Sequence, residues 1–292
     1  MSVIHFDEAD PATQAWWHKL RHETTVAMQN HCLRYITPIS FATANEEGRL
    51  QGTGAYIQYE SERLLLSNEH VIKPWKRLQL GRQLLGCTDV FSIGRALALE
   101  GHPIDAAICL ISDAAWNAGP HIAEPVPWSR FATKHETVPG EMLFLCGYPE
   151  ARSGFIFGTL VSYATQLVTQ EPPGVVIPGL HQNYLILEYP PSKALSVDRN
   201  NPLPLSLPPG LSGSLVWNTR RVECLQRNQE WSPEMAQVTA LLCSWIEKPV
   251  PYVVATRIEV IRDFLRRRTR HPYWVGRAGA AFRRLVRKFV SD

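Results

Sequence analysis

The apolar residues of this chain arrive in short bursts, and that pattern limits the fold more than any other feature. Residues 35–44, 50–59, 63–67, 91–99 and 106–111 each read as a strand. So do residues 142–147, 155–163, 184–189, 214–218 and 238–246. Alternation along such a segment turns one face to a core and the other away from it. Turn formers separate the bursts: Asn45-Glu46-Glu47-Gly48 joins the first two as a hairpin, and proline (22) outnumbers glycine (18). Helical spacing occurs at the two ends. Trp16, Leu20, Ala27 and Cys32 behind Pro11 predict a helix over 11–32, and residues 259–268 and 278–290 predict helices at the other end. Residues 113–140 carry prolines and little periodicity, so they divide the strands into two blocks. The expected fold is all-β, with two packed β-units, a cleft between them and helical extensions.

Composition excludes several alternatives. Of 292 residues, 45% are hydrophobic and 20% charged, which is a globular mixture and not a disordered one. The longest apolar runs, such as 106–111 and 142–146, fall short of the roughly 20 residues that a spanning helix needs. No basic patch leads into an apolar stretch at the N-terminus, so a cytoplasmic protein is expected. The six cysteines (32, 87, 109, 146, 224 and 243) form no CxxC pair and no cluster fit for zinc, and reduced thiols are expected. His18 and His22 have a metal-binding spacing without an evident third ligand. Neither metal nor cofactor is expected. The net charge of +3 is uneven: from Arg257 onward eleven Arg and Lys face three acids, which leaves the preceding body mildly acidic. In residues 278–290 an apolar stripe (Ala281, Phe282, Leu285, Val286, Phe289, Val290) lies opposite Arg283, Arg284, Arg287 and Lys288. Such a helix can pack on its own body, dock in a protein partner, or touch an anionic membrane or nucleic acid. The first two are favoured here.

Three segments together carry chemistry. Leu64-Leu65-Leu66-Ser67-Asn68-Glu69-His70-Val71 places a histidine just after a strand. His102-Pro103-Ile104-Asp105-Ala106-Ala107-Ile108 leads an aspartate into a strand, and Gly210-Leu211-Ser212-Gly213-Ser214 sets a serine between glycines. A serine hydroxyl is a poor nucleophile until a base takes its proton, and the base needs an acid to hold its tautomer. Backbone N–H groups of Gly210 and Ser212 would bind the developing oxyanion. The order His, Asp, Ser separates hydrolase folds. An α/β-hydrolase needs its histidine after the serine, and only His271 follows Ser212. A subtilisin order needs an aspartate before the histidine, and only Asp7 and Asp10 precede His70. His102 sits before a proline in a loop and is read as structural.

These segments resemble the trypsin-like serine peptidases, especially bacterial domains of the Deg type. Gly52-Thr53-Gly54 is similar to their G-[ST]-G, Ser67-Asn68-Glu69-His70-Val71 to T-N-x-H-V, and Asp105-Ala106-Ala107-Ile108 to D-[LV]-A-[LV]. Gly140-Glu141 with Gly147-Tyr148-Pro149 is similar to G-[DE] followed by G-[NY]-P, and Gly158-Thr159-Leu160-Val161-Ser162 is a looser match to G-x-[IV]-S. Gly210-Leu211-Ser212-Gly213-Ser214 resembles G-[ND]-S-G-[GS], with Leu211 where the family has a polar residue. The resemblance covers about residues 35–265. It implies two six-stranded Greek-key barrels, over 35–135 and 136–256, between an N-terminal helical extension (1–34) and basic C-terminal helices (257–292). It implies a catalytic triad of His70, Asp105 and Ser212, with Gly210 and Ser212 as oxyanion donors. It also implies that Ser206, six before the nucleophile, sits at the specificity pocket, where a residue that is not acidic disfavours strict Arg or Lys preference. Cys243, Ser244 and Trp245 would line the pocket, with Ser244 also supporting Asp105. Too few residues follow Leu265 for an appended peptide-binding domain, which needs roughly 50.

The resulting expectation is an intracellular serine endopeptidase that cleaves a protein substrate without a cofactor. It is held in check by a protein partner or trigger, in a bacterial stress or antiphage setting. Six prolines in residues 190–209 remove backbone donors beside Gly210, so an ordering of that loop by a partner is expected to set the oxyanion hole. The rival expectation is a protease-fold scaffold that docks partners through its terminal helices.

Overall fold

In a computed structural model of the chain, the residues described are 10–42, 48–94, 96–156, 159–190, 205–247 and 250–269. Helix α1 (Pro11–Cys32) begins where Asp10 accepts from the N–H groups of Ala12 and Thr13, with proline in its first turn. Its buried face runs through Trp17, Leu20, Thr24, Met28 and Cys32. The sequence points instead to Trp16 and Ala27. Steps of three and four residues keep Trp17 through Cys32 on one stripe, whereas Trp16 lies outside it and is 47% exposed.

Eight strands form the first sheet: β1 (Ile36–Ala42), β2 (Gly48–Tyr59), β3 (Glu62–Ser67), β4 (Leu80–Gln83), β5 (Val90–Ser92), β6 (Ala96–Glu100), β7 (Ala106–Leu110) and β8 (Val126–Pro127). Their order is β5-β4-β1-β2-β3-β7-β6, with β8 beside β2, and all pairings but β8 are antiparallel. The turn expected at residues 45–48 falls largely outside the described residues. Helix α2 (Glu69–Ile72) follows β3, and α3 (Asp113–Trp116) follows β7.

The second sheet contains β9 (Leu143–Gly147), β12 (Thr165–Thr169), β13 (Tyr184–Glu188), β14 (Leu215–Asn218), β15 (Gln237–Ile246) and β16 (Tyr252–Arg257). Their order is β12-β9-β14-β15-β16-β13. Strands β10 (Ser153–Ile156) and β11 (Thr159–Ser162) make a separate hairpin. Helix α4 (Arg221–Gln226) follows β14, and α5 (Ile258–Thr269) follows β16. The helix expected over 278–290 lies outside the described residues.

Period-two alternation distributes one strand between two cores. In β3, Leu65 enters the interior of the first sheet, while Leu64 and Leu66 face a core shared by both sheets. In β9, Leu143 and Leu145 enter the interior of the second sheet, while Phe144 and Cys146 face the shared core. That shared core also takes Trp17, Leu20, Met28 and Cys32 from α1, and Ile258, Ile261, Phe264 and Leu265 from α5. Each large side chain so buried contributes about 1.5–3 kcal/mol. Both helices are therefore structural parts of the interface between the sheets.

Several expectations need correction. Residues 91–99 are not one strand: the chain breaks between β5 and β6, where Gly94 has φ 67°. Residues 155–163 fold back as the β10–β11 hairpin. The first sheet has eight strands and not six. Among the described residues no helix is long and apolar enough to cross a membrane. All six cysteines are free thiols, and all but Cys87 are buried. The two curled antiparallel sheets, with a helix at either end, make a two-barrel fold of the chymotrypsin type.

Candidate active site

Strand β3 ends at Ser67, and Asn68 turns the chain into the single-turn helix α2 that carries His70. Asn68 is fully buried and its amide donates to the Asp105 carbonyl at 2.7 Å, which sets the distance between the two segments. Asp105 lies just before β7 with φ 47°, a left-handed conformation that Asp tolerates better than most residues. Its carboxylate contacts His70 twice. Oδ1 accepts from the His70 backbone N–H at 3.2 Å, and Oδ2 lies 2.8 Å from Nδ1. An Nδ1–H donated to the carboxylate leaves Nε2 free to accept a proton. The His70 side chain is 46% exposed and that of Asp105 16%, so the imidazole is the more open to solvent of the two.

The turn that carries Ser212 leads into β14 of the second sheet. Gly210 and Gly213 have φ 92° and 91°, and neither has room for a side chain. A Cβ on Gly213 would lie 1.9 Å from the Thr53 carbonyl oxygen, and one on Gly210 would lie 2.6 Å from Glu150 N. Ser212 O accepts from Thr53 N–H at 2.8 Å, and Thr53 O accepts from the Ser67 hydroxyl at 2.7 Å. Thr53 of β2 thus ties the serine turn to the strand that ends beside His70. The Ser212 hydroxyl donates to the Cys243 carbonyl at 3.5 Å, which is long for an O–H donor. Among the described residues it makes no hydrogen bond to His70.

Cys243 and Tyr184 complete the surroundings. Burial pushes the Cys243 thiol up to about 12, with the nearby Asp105 charge adding to the effect. Burial likewise pushes the Tyr184 phenol up to about 12, with Cys243 and Asp105 contributing. The Tyr184 hydroxyl lies 3.1 Å from His102 Nδ1, so His102 braces the loop before Asp105, in keeping with a structural role.

The expected pocket residues are placed less uniformly. Pairing of β15 with β16 slips between Leu242 and Ser244, which leaves Cys243 as an extra residue. Cys243 turns inward, and its thiol donates to the Val254 carbonyl at 3.4 Å. Ser244 is exposed and, among the described residues, makes no hydrogen bond to Asp105; the bulge moves it off that line. Trp245 packs against the interior of the second sheet. The Ser206 carbonyl accepts from the Tyr189 hydroxyl at 2.5 Å, which anchors the segment leading to Gly210. Of residues 190–209, expected to gate the site, 191–204 lie outside the described residues. The roles of Asn68 and Thr53 were not foreseen, although both belong to the motifs that suggested the site.

No family model matches the sequence, and no curated protein matches it. Among solved structures, the active form of the Rv3671c protease from M. tuberculosis is 15% identical, over 90% of this chain and 88% of that one, with a TM-score of 0.44. The inactive form of that protease is 15% identical, over 88% and 96%, with a TM-score of 0.45. GrC is 12% identical, over 82% and 96%, with a TM-score of 0.48. At such identities and scores the overlap speaks to neither the activity nor the substrate of this chain.

Proposed function

We propose that the chain is a serine endopeptidase acting through Ser212, His70 and Asp105. The observation that carries this reading is the doubly bonded His70–Asp105 pair, at 2.8 and 3.2 Å, with the Ser212 turn tied by Thr53 to the strand that ends beside His70. His70 Nε2 takes the Ser212 proton as Oγ attacks the scissile carbonyl, and Asp105 stabilises the imidazolium so formed. The tetrahedral oxyanion is held by the N–H groups of Gly210 and Ser212. His70 then protonates the leaving amine, an acyl-enzyme remains on Ser212, and water releases it by the same steps reversed.

A binding scaffold is the less economical reading. The buried apolar faces of α1 and α5 hold the two sheets together in the shared core, while the amphipathic helix expected over 278–290 lies outside the described residues. The test is hydrolysis of an unfolded protein such as casein by the purified chain and by Ser212→Ala. Cleavage by the first and none by the second supports the proposal. Equal cleavage by both, or none by either, contradicts it.

A further inference from the structure

Most backbone groups of the turn that carries Ser212 are hydrogen-bonded. The Pro209 carbonyl accepts from Glu150 N–H at 2.8 Å, and the Gly210 carbonyl accepts from the Thr53 hydroxyl at 2.9 Å. Leu211 N–H donates to the Pro208 carbonyl at 2.9 Å, and the Leu211 carbonyl accepts from Ser214 N–H at 3.0 Å. The Ser212 carbonyl accepts from Thr53 N–H, and Gly213 N–H donates to the Leu242 carbonyl at 2.8 Å. Among the described residues, the two N–H groups of this run without a partner are those of Gly210 and Ser212.

Peptide planarity converts these bonds into aim. In a trans peptide the N–H points opposite to the C=O of the same unit. The Gly210 N–H shares its unit with the Pro209 carbonyl, so Glu150 fixes its direction from behind. The Ser212 N–H shares its unit with the Leu211 carbonyl, which Ser214 fixes in the same way. The unit between them is held at its oxygen by the Thr53 hydroxyl. That hydroxyl also accepts from Tyr148 N–H at 2.9 Å, so it links the Gly147-Tyr148-Pro149 segment to the serine turn. Thr53 is fully buried. Its hydroxyl has one proton to donate and has committed it to Gly210.

We infer that the Thr53 hydroxyl and the Glu150 N–H are positioning groups that hold the oxyanion donors in place within the isolated chain, without an activating partner. This rests on the reading of Ser212 as the nucleophile. It locates the control of the hole in the G-T-G and G-Y-P segments, which the triad chemistry itself does not use. Regulation, where it exists, then has to act on access to the cleft.

The test uses the whole chain with no added protein and follows fluorophosphonate labelling of Ser212, with kcat and KM for a peptide ester measured alongside. Removing one oxyanion donor lowers kcat by about 10²–10³ in a serine protease. Thr53→Val keeps the shape and removes both hydroxyl bonds. Because it loosens the donors without deleting one, we expect labelling and kcat to fall by roughly 10–10² with KM little changed. Thr53→Ser keeps the hydroxyl and is expected to restore the rate. Thermal unfolding is recorded for each variant, because a residue that merely stabilises the fold would move the unfolding midpoint and leave the rate of folded protein unchanged. Glu150→Pro provides a second route at an exposed position: it removes the single N–H that holds the Pro209 carbonyl and sets the ring Cδ against that oxygen, at the start of a 3₁₀ turn whose backbone proline can adopt. It is expected to slow labelling to a similar extent. Folded Thr53→Val or Glu150→Pro labelled at the wild-type rate overturns the inference, and so does Thr53→Ser as slow as Thr53→Val. Folded wild type that is not labelled at Ser212 overturns the peptidase reading and the inference with it.

Discussion

Leu211 occupies the position before the nucleophile that the resembled family fills with Asn or Asp, and restoring an acid there should damage this protein. Leu211 is fully buried in the interior of the second sheet with Leu143, Leu145, Leu187, Tyr189 and Val216. Truncation of such a leucine costs about 2–5 kcal/mol. Leu211→Asp adds a carboxylate among buried apolar side chains, and desolvating that charge costs several kcal/mol more. A loss of about 5 kcal/mol consumes a third or more of the stability of an ordinary domain, which is about 5–15 kcal/mol. At about 2–4 °C per kcal/mol, the unfolding midpoint should fall by roughly 10–20 °C. Leu211→Met keeps volume and apolarity, and should cost under about 1.5 kcal/mol. The introduced acid also fixes the sign of the pH dependence. Burial raises the folded pKa of the aspartate above its unfolded value, so its penalty is smallest below the unfolded pKa and grows as pH rises through that window. Thermal unfolding followed by circular dichroism at pH 5 and pH 8 reads both effects. A Leu211→Asp protein with a wild-type midpoint at pH 8 would refute the view that packing, and not a charge pair, holds this turn.

Further outcomes follow from the same structure. Asp105→Asn should keep the fold and lower kcat by about 10⁴, because an amide donor presents the wrong histidine tautomer; stopped-flow ester hydrolysis measures this, and a loss under about tenfold would contradict the role of the His70–Asp105 contact. Alkylation of native protein at pH 8 should modify Cys87 first: burial holds Cys109, Cys146 and Cys243 near 12 and raises Cys32 and Cys224 as well. Alkylation after unfolding without reductant should reach all six thiols, and a smaller number would contradict the free-thiol description. Glu141 is buried and accepts from the N–H groups of Met142, Val222 and Glu223 and from the Thr219 hydroxyl. Burial raises its carboxyl pKa despite those bonds, so its contribution to stability should decline as pH rises above the usual carboxylate range, and Glu141→Gln should flatten that slope in urea titrations. An unchanged slope would refute the assignment.

The backbone geometry around the candidate site was partly legible, because the proposed chemistry needs particular residues at sharp backbone positions. Gly210 and Gly213 bracket Ser212 where no side chain fits, and Asp105 precedes an apolar strand in the sequence as it does in space. The β-rich character was legible from alternation, as β3 and β9 illustrate with successive side chains directed into different cores. Other features left no sequence signal. Strand β4 was missed because it contains Gly81 and Arg82, which read as polar. Arg82 is nonetheless fully buried, donating to the Tyr56 hydroxyl at 3.0 Å and the Ala115 carbonyl at 2.9 Å. The bulge at Cys243 was invisible because a one-residue slip depends on the partner strand, and it decides which of Cys243 and Ser244 faces inward. The clamp on the Ser212 turn depends on backbone groups of Glu150 and Ser214, which composition does not encode.

The most direct measurement of the central claim is intact-mass and peptide-mapping analysis of the purified chain after reaction with a fluorophosphonate. The account predicts a single adduct on Ser212, absent from Ser212→Ala and strongly slowed in His70→Ala. An adduct on a different residue, or folded wild-type protein that takes none, would contradict it.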